Sequence, residues 1–153
     1  MDSAALHTEV MTDPAGMGYA PYLPDSPGRV VEMLNEPRFS MPKTTMVTAR
    51  GIMASFGLGP IAGAAFLDKL EALGTVNSTI KWAMVFLRGE QGIDVGEPAT
   101  YAVLSSLVGV GGITQEEVDG VKAMALQPAS RAEVLFGVGV QITEADVRAV
   151  LES

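Results

Sequence analysis

Few residues of this chain belong to the types that carry out catalysis. The chain has 153 residues, with no cysteine and a single histidine, His7, close to its start. Cysteine nucleophiles, disulfides and thiolate metal sites are therefore excluded, and histidine acid–base chemistry or metal binding is disfavoured. Ser105 and Ser106 lie in an apolar segment, and a serine nucleophile needs a histidine partner that His7 does not offer. We interpret both serines as packing residues of a helix.

Most carboxylates stand where a helix is expected to begin. Acidic side chains at such positions are stabilised by the positive end of the helix dipole, which explains them without catalysis. A hydrolase built on carboxylates would instead hold one of them in an apolar pocket beside a second. Asp13-Pro14 and the segment 94–97 offer oxygen ligands, yet neither follows the pattern of a calcium-binding loop. The carboxylates at expected helix starts are Glu97, Glu116, Glu117, Glu133, Glu144 and Asp146.

The glycine-rich run Gly109-Val110-Gly111-Gly112-Ile113 bears only a superficial likeness to a phosphate-binding loop. A phosphate-binding loop follows a strand and ends in Lys-Ser or Lys-Thr, whereas this run follows an expected helix and lacks that ending. We interpret it as a turn. The sequence therefore predicts no catalytic residue, no metal site and no cofactor, and we expect a protein that is not an enzyme.

Composition narrows the classes of partner. Eighteen acidic residues against ten basic ones give a formal net charge of −8, which disfavours nucleic acid as a partner. The two long uncharged stretches, 51–67 and 98–115, are interrupted by glycine, proline or polar residues, so neither resembles a membrane-spanning helix. The first residues also lack the basic and apolar regions of a secretory signal. We expect no membrane partner.

Glycine and proline divide the chain after Pro27 into short helical segments. Pro27 stands at the first position of one helix, and Asn77 caps another over residues 78–88, in which Trp82 and Phe86 are expected to broaden the buried face. Capping boxes are expected at Thr114/Glu117, Ser130/Glu133 and Thr143/Asp146. An extended piece covers 38–45, and the strand-like segment 138–142 is interpreted as a linker. The sequence predicts an all-α fold, a compact bundle of about seven short helices.

The first 28 residues are expected to form an extended, Pro/Gly-rich N-terminal arm, followed by a helical domain over 29–153. Proline fixes φ and donates no hydrogen bond, which favours irregular extended structure. Two tyrosines and a leucine are unusual in a purely solvated linker. Two interpretations stay open: the arm docks on its own core or on a partner, or it is disordered. The candidate partner-binding residues of the arm are Asp13, Pro14, Gly18, Tyr19, Tyr22 and Leu23.

Motifs at the two ends of the chain suggest a family. Thr12-Asp13-Pro14-x-x-x-Gly18-Tyr19-Ala20 is followed by Leu34-Asn35, and the C-terminal part contains residues 112–117, the segment 130–137 and Thr143-x-x-Asp146-Val147. This combination resembles a group of small tailed-bacteriophage virion-associated proteins that begin with an (N/T)DPxxxGY element and end in a similar way. The resemblance covers the two ends, and the middle, residues 37–99, is only loosely alike.

The resemblance implies a virion or phage-morphogenesis context and brings no catalytic residues with it. The expected function is that of a non-enzymatic structural subunit in the tail or tail-fibre/connector region, made in the cytoplasm of the bacterial host and located in the virion. Its expected partners are other phage structural proteins, within an oligomeric assembly. Two alternatives stay open: a capsid cement (decoration) protein, and a phage assembly or host-interaction factor that never enters the virion.

Overall fold

The computed structural model describes residues 1–153, of which 57% are helical. A 3-10 turn covers Ala20–Tyr22, and none of the helices is both long and apolar enough to cross a membrane. The regular elements in chain order are α1 (Ser3–Thr12), α2 (Pro27–Asn35), β1 (Pro37–Pro42), β2 (Met46–Val47), α3 (Ala49–Ser55), α4 (Pro60–Gly74), α5 (Ser78–Arg88), β3 (Ile93–Asp94), α6 (Pro98–Ser106), α7 (Gln115–Ala123), β4 (Leu126–Ser130), α8 (Arg131–Phe136) and α9 (Glu144–Leu151).

The prediction of an all-α bundle with about seven helices is wrong. The chain has nine α-helices and two small antiparallel sheets, in which β1 pairs with β4 and β2 pairs with β3. The strands escaped prediction because β2 and β3 are two residues long, because Pro128 interrupts β4, and because β1 alternates polar and apolar residues over only four positions between Pro37 and Pro42. The extended piece near residue 38 is confirmed as β1, whereas segment 138–142 forms no strand.

The extended N-terminal arm is also corrected, because its first part is a helix. Asp2 caps α1, since its Oδ1 accepts hydrogen bonds from the backbone N–H groups of Ala4 and Ala5 at 3.0 and 3.2 Å. Leu6 and Val10 are buried on the same side of this helix. These two residues lie four positions apart, the spacing of one helical face, which is the signal that the prolines and glycines further along obscured.

Contacts between Cα atoms divide the chain into two compact units. We call residues 1–41 with 128–153 the terminal unit and residues 42–127 the central unit. In the terminal unit, α1, α2, α8 and α9 pack around one apolar core. That core includes the fully buried side chains of Leu6, Tyr19, Val30, Leu34, Ala132 and Val147.

The core of the central unit is built on the stacked rings of Phe56 and Phe66, whose centroids are 5.9 Å apart. Helix α4 packs against both α3 and α5. The pair β2–β3 adjoins this core, with Met46 opposite Asp94 and Val47 opposite Ile93. The Asp94 carboxylate also accepts a hydrogen bond from the backbone of Thr45 at 2.8 Å, which closes the end of the short ladder.

The helix starts expected from sequence are confirmed. Helix α2 begins at Pro27 and Asn77 caps α5, as expected. Helices α4 and α6 likewise begin at prolines, Pro60 and Pro98. All three capping boxes are formed with both of their hydrogen bonds. These signals depend on residues within three positions of each other, so they can be recognised without knowledge of the tertiary structure.

Glu117 in the box of α7 makes the central unit sensitive to acid. Burial alone would raise the pKa of its carboxyl, but hydrogen bonds from Lys69, at 2.6 Å, and from Thr114 hold that pKa below its ordinary value of 4.5. The stabilisation is therefore complete above pH 4.5 and is lost as the pH falls through the lower pKa of the folded state.

We expect Glu117→Gln to weaken the acid dependence of stability. The melting temperature of the full chain, measured at a series of pH values from neutral to acid, should fall less steeply in this variant than in the wild type. Glu116→Gln is the matched control, because Glu116 is an exposed carboxylate in the same helical turn, and it should keep the wild-type profile. Identical profiles for the wild type and Glu117→Gln would contradict this account of the box.

Candidate interaction surfaces

Charge is distributed unequally between the two units. The terminal unit holds ten acidic and four basic residues, and the central unit holds eight and six, so their formal charges are −6 and −2. Exposed apolar side chains show the opposite distribution. Of fifteen large hydrophobic residues that are exposed, ten belong to the central unit. The central unit therefore carries most of the surface that burial against another molecule would stabilise.

Helix α5 is apolar on opposite sides. Its inner side buries Ile80, Met84 and Leu87 in the central core. Its outer side presents Trp82 and Phe86, which are 60% and 59% exposed. Two large aromatic side chains exposed side by side form an apolar patch, so the outer side of α5 is a candidate contact surface.

The prediction that Trp82 and Phe86 broaden the buried face of α5 is wrong. A helix turns by about 100° per residue, so Trp82 lies about 200° round the helix from Ile80, on the side opposite the core. Residue type alone favours the core for both aromatic residues. The helical angle of Trp82, which the sequence also gives, places it at the surface.

A groove runs beside this outer side of α5. It encloses about 360 Å³ between α5 and α6, and we call it the α5–α6 groove. Its α5 wall carries Trp82 and Phe86, and its α6 wall carries the smaller side chains of Ala99, Thr100 and Val103. No charged side chain lines it. Such a lining binds by burial of apolar surface.

A second cavity, of about 630 Å³, lies in the terminal unit between α1 and α9. His7 and Asp146 both line it. Asp146 is already engaged as the N3 residue of the capping box of α9, where hydrogen bonds from the side chain and backbone of Thr143 lower its pKa. No group of three or more His, Asp or Glu side chains is placed to hold a metal ion. We assign no function to this cavity.

The residues expected to form a partner-binding arm lie in the terminal unit. Asp13 ends α1 in the left-handed conformation, with a φ of 46°, and its carboxylate accepts hydrogen bonds from the backbone N–H groups of Met17 and Gly18, both at 2.6 Å. Gly18 has a φ of 84°, a conformation that favours glycine. With Pro14, which follows Asp13 in the turn, these residues shape a tight loop.

That loop places Tyr19 in the core of the terminal unit, where the side chain is fully buried. The hydroxyl of Tyr19 donates to Oε1 of Glu9 at 3.2 Å, and burial together with the Glu9 charge raises the pKa of Tyr19. Leu23 packs against the same core, whereas Tyr22 is 36% exposed and its ring lies 6.0 Å from the Arg29 guanidinium. Tyr22 is the aromatic residue of the set that remains at the surface.

Glu9 also links the two ends of the chain. Its carboxylate is 1% exposed and binds the Arg131 guanidinium through two hydrogen bonds, at 2.8 and 2.7 Å. The guanidinium in turn lies 5.7 Å from the ring of Phe39. We call Glu9, Tyr19, Phe39 and Arg131 the Glu9 cluster. Sequence reasoning missed it, because Glu9 and Arg131 are 122 positions apart.

The N-terminal motif and the C-terminal segments 130–137 and 143–147 lie in the terminal unit, whereas residues 112–117 belong to the central unit. Tyr19 of the N-terminal motif and Arg131 of segment 130–137 both contact Glu9. Asn35, of the Leu34-Asn35 pair, makes two hydrogen bonds with the backbone of Ile142, at 2.8 and 2.9 Å. These residues stabilise the terminal unit, and their contacts account for the motifs in physical terms.

The burial of Tyr19 predicts different effects at the two tyrosines of the arm. Tyr19→Phe removes the hydrogen bond to the buried Glu9 and should lower the free energy of unfolding by about 1–2 kcal/mol, measured by urea denaturation. Tyr22→Phe is the matched control and should stay within about 0.5 kcal/mol of the wild type, because Tyr22 lies at the surface. Equal effects of the two substitutions would contradict this placement of Tyr19.

Comparison with protein-family models, curated proteins and solved structures finds no match for this chain. The surfaces just described are therefore the basis on which a function is proposed. Of these, the α5–α6 groove is exposed and apolar, whereas the Glu9 cluster is enclosed in the terminal unit.

Proposed function

We propose that this chain is a non-enzymatic structural subunit of a tailed-bacteriophage particle, located in its tail or tail-fibre/connector region. It acts through protein–protein contacts. The phage context comes from the resemblance of the terminal motifs. The observation that carries the mode of action is the outer side of α5, where Trp82 and Phe86 are exposed beside an uncharged groove.

Exposure of these two rings has an energetic consequence. Full burial of a large apolar side chain stabilises a complex by about 1.5–3 kcal/mol, and tryptophan is among the residue types enriched in interaction hot spots. Trp82 and Phe86 stand four positions apart, so both rings project from the same side of the helix. A partner that covers one of them covers the other as well.

The lining of the groove supports contact as the mode of action. Its polar side chains include the hydroxyls of Thr79 and Thr100, beside aliphatic and aromatic groups. Hydroxyls fix orientation in an interface through hydrogen bonds, and the apolar groups supply the free energy of association. The groove therefore has the composition of the centre of a protein–protein interface.

The acidic terminal unit complements this arrangement. Its formal charge of −6 keeps the chain soluble and opposes non-specific association between copies. The central unit, with −2, is the region where a partner meets little like-charge repulsion. In this proposal the terminal unit limits non-specific association, and the central unit provides the surface that a partner binds.

The two alternatives differ from the main proposal in stoichiometry. A cement protein would occur in numbers that follow those of the major capsid protein. A tail or connector subunit would occur in small multiples of three or six, as closed rotational symmetry requires. An assembly or host-interaction factor would be absent from mature particles.

A complementation experiment tests the mode of action. A phage that lacks this gene would be grown in host cells that supply the wild-type chain or the double variant Trp82→Ser/Phe86→Ser. We expect the double variant to lower the yield of infectious particles at least about tenfold, since loss of a hot spot of 2 kcal/mol or more exceeds the 1.4 kcal/mol that corresponds to a factor of ten.

Val76→Ser is the matched control for that experiment. Val76 belongs to the same unit, is 84% exposed and does not line the groove, so its substitution should leave the yield unchanged. Wild-type yield with the double variant would contradict the proposal that the groove makes the functional contact. The double variant should also keep the wild-type melting temperature, because both rings project outward from α5.

A further inference from the structure

We infer that the α5–α6 groove binds a small, uncharged molecule that has a hydrocarbon body and one hydrogen-bonding group, such as a hydroxyl. The inference goes beyond the proposed function. That function uses the two aromatic rings exposed at the rim of the groove, whereas a small ligand occupies its floor. Three observations carry the inference: the depth of the groove, its volume, and two threonine hydroxyls in its lining that make no hydrogen bond within the chain.

The floor of the groove consists of side chains from the core of the central unit. Each of these side chains is at most 6% exposed, yet each lines the groove. Well-packed interiors contain few spaces larger than a water molecule, so an opening that reaches the core is unusual. A molecule in the groove therefore contacts the core itself and does not only cover a surface. The core residues that form the floor are Leu70, Ile80, Met84, Leu87, Leu104 and Leu107.

The volume of the groove fits a small molecule. Its 360 Å³ lies within the range of about 300–1,000 Å³ that small-molecule pockets occupy. An α-helix with its side chains is at least about 10 Å across, so two turns of it fill roughly 850 Å³, more than twice the space that the groove offers. A helix of a partner can therefore lie over the rim but does not fit inside. The size of the groove favours a small ligand over a segment of protein.

Two threonine hydroxyls supply polar groups to the lining. Thr79 belongs to α5 and Thr100 to α6, so the two hydroxyls lie on opposite walls. Neither hydroxyl makes a hydrogen bond within the chain, whereas the hydroxyls of Thr75 and Thr114 bond to the backbone. A hydroxyl both donates and accepts hydrogen bonds. One hydroxyl or carbonyl group of a ligand is therefore sufficient to bind either wall.

The uncharged lining determines the chemical class of the ligand. An ionised group that left water in this groove would meet no side chain of opposite charge, and its burial would be costly. A hydrocarbon body, in contrast, gains free energy with each methylene group that it buries against the floor. The groove therefore favours a neutral molecule over its ionised analogue.

Decanol is the probe for this site, and Trp82 is the reporter, because it is the single tryptophan and lines the groove. Intrinsic fluorescence and equilibrium dialysis of the full chain would be measured as decanol is added. We expect one decanol molecule to bind per chain, with a saturable shift of the Trp82 emission maximum to shorter wavelength as water leaves the ring. Decanoate, the ionised analogue, should bind at least about tenfold more weakly.

Variants of the lining keep the reporter and change the site. Ala83 lies one helical turn after Thr79 on the α5 wall, so Ala83→Leu fills space that the ligand needs and should weaken decanol binding at least about tenfold. Ala65→Leu is the matched control, at an exposed position of α4 that does not line the groove, and should bind like the wild type.

A second variant tests the hydroxyls. Thr79→Val combined with Thr100→Val keeps the shape of the walls and removes both hydroxyls, and it should weaken decanol binding about fivefold or more. Circular dichroism melting of every variant shows that each is folded.

Any of four results would overturn the inference. These are Trp82 emission that does not change saturably with decanol, wild-type affinity in Ala83→Leu or in the double valine variant, decanoate that binds as tightly as decanol, and a shift of Trp82 emission that follows the concentration of the chain without decanol. The last result would assign the groove to a contact between copies. None of these measurements requires phage particles, so a failure here is distinguishable from a failure of the complementation experiment.

Discussion

Arg131→Met is expected to lower the free energy of unfolding by about 3–5 kcal/mol, because it leaves the buried carboxylate of Glu9 without its cation. Both oxygens of that carboxylate accept hydrogen bonds from the Arg131 guanidinium, and Glu9 is 1% exposed. Only the hydroxyl of Tyr19 would remain as a side-chain donor of the Glu9 cluster. Urea denaturation of the full chain, followed by circular dichroism, measures the loss.

A second variant separates the cost of an unpaired charge from the loss of packing. Glu9→Met combined with Arg131→Met removes both charges and should recover most of the lost stability, since apolar replacement of a whole buried pair is often neutral. Arg148→Met is the surface control. It removes an exposed pair with Glu144 one helical turn away and should change stability by no more than about 0.5 kcal/mol. A loss from Arg131→Met no larger than this control would contradict the role of the Glu9 cluster.

Gly96→Ala is the second substitution with a large expected effect, about 4 kcal/mol of destabilisation, the range reserved for severe strain or overpacking. A Cβ atom at Gly96 would lie 1.9 Å from the carbonyl oxygen of Lys43 and 2.5 Å from its carbonyl carbon. Both are backbone atoms, so no side-chain rotation relieves the overlap. The chain next to β2 and β3 would have to separate, and the hydrogen bond from Val95 to the Thr45 carbonyl, at 3.0 Å, would be strained with it.

Gly57→Ala is the matched control for the close approach. Gly57 lies in the turn after α3, and a Cβ atom there would meet no atom within 4 Å. Its substitution should be neutral or stabilise the chain by up to about 1 kcal/mol, through the unfolded state. Urea denaturation of both variants gives the comparison. Equal stability of the two would show that the paired strands of the central unit are not packed as described.

Most of the helices can be predicted from the sequence. The starts of α2, α5 and α7 each follow from a proline or a capping residue within three positions, and such local signals act before any tertiary contact forms. The strand pairings of the sheets could not be predicted from such local signals. Met46 and Asp94 pair across 48 positions, and two-residue strands carry no periodic pattern from which that pairing could be predicted.

The candidate site was predicted less well than the helices. The sequence groups the arm residues Asp13 and Tyr19 in one motif, but nothing local marks Glu9 as the buried ligand of a distant arginine. The exposure of Trp82 follows from its angle relative to Ile80, which places it on the outer side of α5, whereas its residue type alone favours the core.

Quantitative mass spectrometry of purified particles from the source phage tests the central claim most directly. The chain would be counted against the major capsid protein in the same particles. The proposal predicts that the chain is present, in a small multiple of three or six copies per particle. A ratio near one, or a simple fraction of it, would contradict the tail or connector location and favour a cement protein, and absence from the particles would contradict the structural role itself.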